Sequence, residues 1–259
     1  TLSSSSAASD VYKRQIQQNM KIHGTTKGGA LSKKDFGVAF STGGGGFSPD
    51  DVDGLGCWYD ASDSTTVTKD GSDRVSQWDD KKGSADLAQS TSGSQPLLVE
   101  DDLNDLDIIN FTGDRDMAVT SASASQPTTW YLVATAPAAT GTTRRPLTCG
   151  SQQFFTSAVS NRFSIYAGEQ LNFTESLGTT QFYVWTLRFN GVSSDLLVDD
   201  TSKVSGDAGT GTINGTLNIA GSGGNYSNNK FAEILRYDSD VSSDDNDSII
   251  TYLTDKWGL

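Results

Sequence analysis

Short segments in which apolar and polar residues alternate constrain the fold of this chain more than any other feature of the sequence. The segment FYVWTLRF (182–189) is the clearest example. One of its faces carries Tyr183, Trp185, Leu187 and Phe189, and the other carries Phe182, Val184, Thr186 and Arg188. Successive side chains of a β-strand point to opposite faces of the sheet, so this pattern predicts a half-buried strand of an antiparallel sheet.

Similar segments recur between turn signals such as Asn190-Gly191 and Asn214-Gly215. The predicted strands are Leu97–Val99, Ile108–Phe111, Trp130–Ala134, Phe163–Ala167, Phe182–Phe189, Asp195–Val198, Ile213–Ala220 and Phe231–Tyr237. Many short strands joined by Gly-, Asn- and Asp-rich turns are typical of two packed antiparallel sheets. We therefore predict an all-β, two-sheet sandwich.

The C-terminal segment VSSDDNDSIITYLTDKWGL has a different periodicity. Its apolar residues Ile249, Ile250, Leu253 and Trp257 form one stripe of a helix. Ser242 or Ser243 can cap the start, where aspartates follow and the helix dipole favours negative charge. Gly258 stands just beyond the last turn, as expected for a helix end. The sequence predicts one short terminal helix packed on the sandwich.

The charge of the chain excludes several kinds of partner. The 259 residues carry a formal charge of −13, and only four of the 32 acidic residues are glutamate, which leaves 28 aspartates. Without a basic patch the chain cannot displace phosphate counterions, so we expect no nucleic-acid binding. No apolar run has the length of a membrane-spanning helix, and we expect no membrane insertion.

The few histidines and cysteines of the chain limit the catalytic and metal sites that it can form. His23 is the only histidine, which excludes a Ser-His-Asp triad and a histidine-rich zinc site. Cys57 and Cys149 permit one disulfide but do not require it, because two cysteines in strand-like surroundings also suit buried free thiols. Both alternatives stay open at this point.

Residues 1–46 are predicted to form a flexible N-terminal segment. The opening TLSSSSAASDVYKRQ resembles a sequencing-adapter read-through, so residues 1–19 are interpreted as an artefact. Residues 20–46 are an anchor peptide that ends in the glycine hinge 43–46. This peptide either becomes ordered on a partner protein or remains a disordered tail. Met20 is not followed by the apolar segment of a secretion signal.

Four fragments of residues 47–259 resemble laminin-G-like, concanavalin-A-like jelly-roll domains of bacterial surface proteins and phage appendages. They are a tryptophan strand ending in D-A-S-D (Trp58 to Asp63), a W-D hairpin (Trp78 to Gly83), an F-x-G strand (Phe111 to Gly113) and a closing K-W-G-L (Lys256 to Leu259). The segment from Met20 is similar to leaders of marine viral and metagenomic proteins. The resemblance implies a jelly-roll sandwich and a virion, with an extracellular or cell-surface location as the alternative.

Two loops carry side chains suited to carbohydrate. The first supplies Asn225, Tyr226, Asn228 and Asn229, and the second supplies Arg144 and Arg145. An exposed ring can stack on a sugar while amides and guanidinium groups bind its hydroxyls, so these six residues are the predicted glycan-binding residues. An ordinary flexible connection is the alternative for the Asn-rich loop.

Aspartates follow two tryptophans where predicted strands end. Trp58 and Trp78 are interpreted as core residues that fill the space between the sheets. Asp60, Asp63, Asp79 and Asp80 come directly after them and either cap turns or share a Ca²⁺ ion, which prefers oxygen ligands. Calcium is the only cofactor that the sequence suggests.

The glutamates do not form a known glycosidase pattern. The E-x-D-x-x-E strand of concanavalin-like glucanases is absent, Glu169 and Glu175 are six residues apart, and Glu233 is expected to pair with a basic group. We therefore predict that the chain is not an enzyme.

The predicted function is a structural or adhesive component of a virion or tail. It is expected to bind glycan or other virion or surface proteins, and it could form homo-oligomers. The alternatives are a bacterial adhesion module and a glycoside hydrolase.

Overall fold

The fold is described by a computed structural model of residues 46–138, 141–157 and 161–259. The predictions made for residues 1–45 lie outside these ranges. The strands are β1 (Leu55–Asp60), β2 (Val67–Lys69), β3 (Val75–Trp78), β4 (Leu87–Ala88), β5 (Leu97–Leu103), β6 (Leu106–Asn110), β7 (Met117–Ala124), β8 (Thr128–Thr135), β9 (Arg144–Cys149), β10 (Gln152–Thr156), β11 (Arg162–Tyr166), β12 (Gln170–Thr174), β13 (Phe182–Phe189), β14 (Ser194–Val198), β15 (Thr201–Gly206), β16 (Ile213–Ile219) and β17 (Lys230–Tyr237). One α-helix, α1 (Ser243–Trp257), follows them.

These strands form two antiparallel sheets, which confirms the predicted sandwich. Sheet 1 has the order β15-β14-β13-β8-β17-β6-β5, and β1 pairs with the free part of β17. Sheet 2 has the order β12-β11-β10-β9-β16-β7-β4-β3-β2. The strands that sequence periodicity missed, such as β2, β4 and β12, are short or polar because they lie at or near sheet edges with little apolar surface to bury.

The main core lies between the two sheets, where side chains of alternate residues from both inner faces meet. In β13, Trp185, Leu187 and Phe189 belong to this core, while Val184 on the opposite face is buried in a second apolar cluster. The prediction of a half-buried strand is therefore wrong for β13, because both of its faces are covered. The Trp185 ring lies 4.9 Å from the ring of Phe154 and 5.5 Å from that of Phe163, both on sheet 2. The aromatic side chains therefore bind the two sheets together.

A second apolar cluster lies on the outer face of sheet 1, under helix α1. Ile249, Leu253 and Trp257 of the helix are buried there. The predicted caps are present: the Ser242 hydroxyl accepts a hydrogen bond from the Asp245 amide at 3.2 Å, and Gly258 adopts φ +69°. The terminal helix is thus confirmed, together with the residues that begin and end it.

The two cysteines are buried free thiols. Cys57 lies on β1 and Cys149 on β9, so they belong to different sheets. Burial raises the pKa of the Cys57 thiol and raises that of Cys149 to about 12.

Within the described ranges, no helix is both long and apolar enough to span a bilayer.

Trp78 and Trp58 have different surroundings. Trp78 is fully buried in the main core, with its ring 5.6 Å from that of Tyr59. Trp58 lies on the opposite face of β1 from Cys57 and Tyr59, so it packs on the helix side of sheet 1 and remains partly exposed. The interpretation of Trp58 as a residue between the sheets is therefore wrong, because strand alternation directs it outward.

Candidate functional site

Three loops converge at one end of the sandwich. They are the β6–β7 loop (111–116), residues 141–143 directly before β9 and the β16–β17 loop (220–229). Together with the start of β9 they enclose an open cleft of about 410 Å³. The lining residues are Asp114, Thr142, Thr143, Arg144, Gly224, Asn225, Tyr226 and Asn228.

Asn228 holds two of these loops together. Its side-chain oxygen accepts hydrogen bonds from the amides of Gly113 at 3.0 Å and Asp114 at 2.9 Å, and its Nδ2 donates to the Asp114 carboxylate at 3.2 Å. Asn228 has φ +53°, a left-handed conformation that asparagine tolerates better than most residues. The contact fixes Asp114 at the rim of the cleft with its carboxylate exposed.

The two arginines at the start of β9 differ in position. The Arg144 guanidinium donates to the Tyr226 carbonyl at 2.9 Å and lines the cleft. The Arg145 guanidinium approaches the Ser222 carbonyl at 3.5 Å, and Arg145 does not line the cleft. Arg144 therefore anchors the backbone next to Tyr226, and Arg145 supports the loop from outside.

Four of the six residues predicted to bind glycan line this cleft: Arg144, Asn225, Tyr226 and Asn228. Asn229 does not, because its side chain is 2% exposed and donates to the Thr135 carbonyl at 3.1 Å. The prediction is corrected for Asn229, which is out of a ligand's reach. Sequence reasoning missed Asp114, Thr142 and Thr143, which only the convergence of the loops brings to the site.

The aspartates predicted to bind calcium divide into two pairs. Both oxygens of Asp60 contact lysine: Oδ1 lies 2.8 Å from Lys256 Nζ and Oδ2 lies 3.1 Å from Lys81 Nζ. Asp63 Oδ2 also contacts Lys81 Nζ, at 2.8 Å. The calcium prediction is corrected for Asp60 and Asp63, because lysine ammonium groups already neutralise these carboxylates.

Asp79 and Asp80 shape the turn after β3. Asp80 Oδ1 accepts from the amides of Trp58 at 2.9 Å and Lys82 at 3.0 Å, while Asp79 accepts from the Gln77 side chain at 2.6 Å. In the part of the chain that the structure describes, no three His, Cys, Asp or Glu residues are grouped to hold a metal. Calcium binding by Asp79 and Asp80 stays an untested prediction.

Glu233 is the centre of a buried polar network between β1, β17 and α1. Its side chain is 0% exposed. Its carboxylate accepts four hydrogen bonds, from Trp58 Nε1 (2.7 Å), Tyr252 Oη (2.9 Å), Lys256 Nζ (2.8 Å) and Trp257 Nε1 (2.7 Å). The prediction that Glu233 pairs with a basic group is therefore confirmed, and the group is Lys256. Two of the resemblance motifs meet here, since Trp58 and Asp60 come from the first and Lys256 and Trp257 from the last.

Burial and neighbouring charges together shift the pKa values of the carboxyl groups in and beside this network. Burial raises the pKa of Glu233, and the neighbouring Lys256 only partly opposes that effect. Burial would also raise the pKa of Asp60, but Lys256 and Lys81 outweigh it and lower that pKa below its usual value. For Asp63, partial burial is outweighed by hydrogen bonds from Lys81 and Thr65, which hold the pKa at about 2.

We expect stability to fall in acid as Asp63 becomes protonated. Its pKa is about 2 in the folded protein and 3.8 without these partners, so its contribution is present above about pH 4 and is lost as the pH falls towards 2. The effect should be below about 1 kcal/mol, because an ion pair open to solvent is screened. Urea unfolding of wild type and Asp63→Asn across this window tests it. An equal pH dependence in both proteins would contradict the prediction.

The sequence matches no protein-family profile and no curated protein. Solved structures with a similar fold include the Trypanosoma rangeli sialidase in complex with sialic acid (TM-score 0.55, 12% identity, 78% of this chain and 33% of that one). The same sialidase with the inhibitor DANA matches at TM-score 0.54 and 14% identity, over 75% of this chain and 32% of that one. The binding domain of Paraclostridial Mosquitocidal Protein 1 matches at TM-score 0.52 and 12% identity, over 73% of this chain and 52% of that one.

At such identities the likeness shows the fold alone. Part of each of these proteins therefore shares the two-sheet β-sandwich of this chain, and a shared fold does not assign a function. The chain spans 33% of the first sialidase and 52% of the mosquitocidal binding domain.

The comparisons also correct the prediction that this chain is not an enzyme. Proteins named as sialidases, which are glycoside hydrolases, are among its structural neighbours. The absence of the E-x-D-x-x-E pattern and of histidine in the sandwich is therefore no ground for excluding catalysis, because one fold supports several chemistries.

Proposed function

We propose that this domain binds glycan in the cleft formed by its three converging loops. The observation that carries the proposal is the combination of groups in one 410 Å³ cleft: the side chain of Tyr226, the amides of Asn225 and Asn228, the exposed carboxylate of Asp114 and the guanidinium of Arg144. Sugars present both apolar ring faces and many hydroxyls. Aromatic and hydrogen-bonding side chains suit these two surfaces respectively.

The loops around the cleft are held in place by the rest of the domain, and this is the second reason for the proposal. The rigid sheets position them, and Asn228 and Arg144 tie their backbones together. A cleft held in this way loses little conformational entropy when a ligand binds. Loops on a fixed scaffold are also where binding residues usually lie.

We also propose where the domain acts. The motif resemblance of residues 47–259 supports a laminin-G-like domain of a virion or tail appendage, in which the segment before it engages other virion proteins. A bacterial surface adhesion module is the alternative. Neighbouring genes distinguish the two, since capsid or tail genes support the first and a longer reading frame with a secretion signal supports the second.

Tyr226→Ala is expected to weaken glycan binding about tenfold or more, because aromatic side chains dominate the energy of such contacts. A glycan array identifies the ligand, and calorimetry on wild type and variant measures the change, with the sugar checked for cleavage products. Tyr166→Ala, in β11 and outside the cleft, is the matched control and should bind as wild type does. Equal weakening by both substitutions, or no binding by the wild type, would refute the proposal.

A further inference from the structure

One lysine in the buried network touches two carboxylates at once. Lys256 Nζ lies 2.8 Å from Asp60 Oδ1 and 2.8 Å from Glu233 Oε2. The three side chains are 16%, 6% and 0% exposed. Among the other lysines that form ion pairs in the described ranges, none contacts a fully buried carboxylate, and their own side chains are at least 21% exposed.

The backbone fixes this arrangement from three elements. Asp60 is the last residue of β1 and lies directly opposite Glu233 of β17 in the strand register. Lys256 reaches both from the last turn of α1. The indoles of Trp58 and Trp257 and the ring of Tyr252 surround the three groups and limit access of water.

We propose that Lys256 and Asp60 become joined by an amide bond between Nζ and Cγ. Glu233 acts as the acid-base group of this reaction. The site holds a nucleophile (Lys256 Nζ), a carboxyl carbon (Asp60 Cγ) and a proton carrier (Glu233) together, with little access for water. Groups held in contact in this way react far faster than the same groups diffusing freely in water. The product is a covalent link inside one chain, made without another protein.

The atoms of the ion pair balance without any co-reactant. Glu233 accepts one proton from the Lys256 ammonium, and the free amine attacks Asp60 Cγ to form the new C–N bond. One C–O bond of Asp60 then breaks. The departing oxygen takes the proton held by Glu233 and a second proton from the nitrogen, so one water leaves and Glu233 returns to its starting state.

Two further groups stabilise the charge that develops on the Asp60 oxygens. The Lys81 ammonium lies 3.1 Å from Oδ2. Ser62 donates to Oδ1 from its hydroxyl at 2.7 Å and from its amide at 3.1 Å. Donors that are already in place before the reaction stabilise an oxyanion without reorganisation.

The link would join the first strand of the sandwich to its last helix. A cross-link between residues 60 and 256 closes nearly all of Phe47–Leu259 into one loop, which restricts the unfolded chain. The closing residue Lys256 is part of the K-W-G-L fragment, and Asp60 is part of the D-A-S-D fragment.

Intact mass spectrometry of the denatured protein tests the proposal directly. The wild-type chain is expected to weigh about 18 Da less than its sequence, the mass of one water, and a protease digest should contain a branched peptide joining Asp60 and Lys256. A mass equal to that of the sequence, with both residues in separate peptides, would overturn the proposal and leave an ion pair only.

Variants identify the reacting groups. Lys256→Arg keeps the positive charge but should show no mass loss, whereas Lys230→Arg, in the exposed pair with Asp102, should keep the full loss. Asp60→Asn should instead lose about 17 Da, because ammonia replaces water as the leaving group. Glu233→Gln should retain the unlinked mass, and a full loss in that variant would rule out the role given to Glu233.

Discussion

Replacing Glu233 by alanine is expected to lower the free energy of unfolding by about 3–5 kcal/mol, because buried hydrogen-bond donors lose their acceptor and Lys256 loses one of its two carboxylate partners. The groups affected are the Trp58 and Trp257 indole N–H, the Tyr252 hydroxyl and the Lys256 ammonium. In molecules in which Lys256 is linked to Asp60, Lys256 is no longer charged. The loss of stability then comes from the indole N–H groups and the Tyr252 hydroxyl, which lose their acceptor. Chemical denaturation followed by tryptophan fluorescence measures it.

Glu175→Ala is the matched control for this substitution. Glu175 also pairs with a lysine, Lys203 at 2.9 Å, but its side chain is 40% exposed. Solvent screens this pair, so we expect a change below about 1 kcal/mol. Similar losses for the two variants would show that burial of Glu233 does not decide its contribution.

Trp185→Ala is expected to cost about 3–5 kcal/mol through the cavity it opens between the sheets. The indole is fully buried, lies against Phe154 and Phe163 of sheet 2, and donates to the Ala134 carbonyl at 3.2 Å. The loss should appear as a lower denaturation midpoint in urea, with glycan binding unchanged in the protein that remains folded.

Two further substitutions serve as controls for the stability loss expected of Trp185→Ala. Trp185→Phe keeps most of the ring volume and should cost about 1–2 kcal/mol, mainly the lost hydrogen bond. Val192→Ala, at a side chain that is 75% exposed, should change stability by less than about 0.5 kcal/mol. A Trp185→Ala protein as stable as wild type would contradict the assignment of Trp185 to the core.

Alternation in the sequence predicted where several of the core strands lie, but not that β13 is covered on both of its faces. It did not predict β2 and β4, which are only three and two residues long, or the edge strand β12, because such strands bury too little apolar surface to show a period. The helix was predictable with its caps, since Ser242 and Gly258 act on neighbouring backbone groups. Such features depend on residues that are close along the chain.

The candidate site was predictable only in part. Residues within the loop 220–229 and the start of β9 were recognised from their side-chain types. That Asn229 turns inward while Asn228 faces the cleft depends on the backbone of that loop, in which Asn228 adopts a left-handed conformation. Asp114, Thr142 and Thr143 join the site through pairing of distant strands.

By itself, the sequence determined the class of fold, the terminal helix and the kinds of side chain available in the loops, because periodicity and capping act over a few residues. Only the tertiary structure decided that the cysteines stay apart as thiols, that Asp60 meets Lys256, and that three loops share one cleft. These outcomes depend on the packing of strands far apart in the chain, and no local pattern specifies which side chains that packing brings into contact.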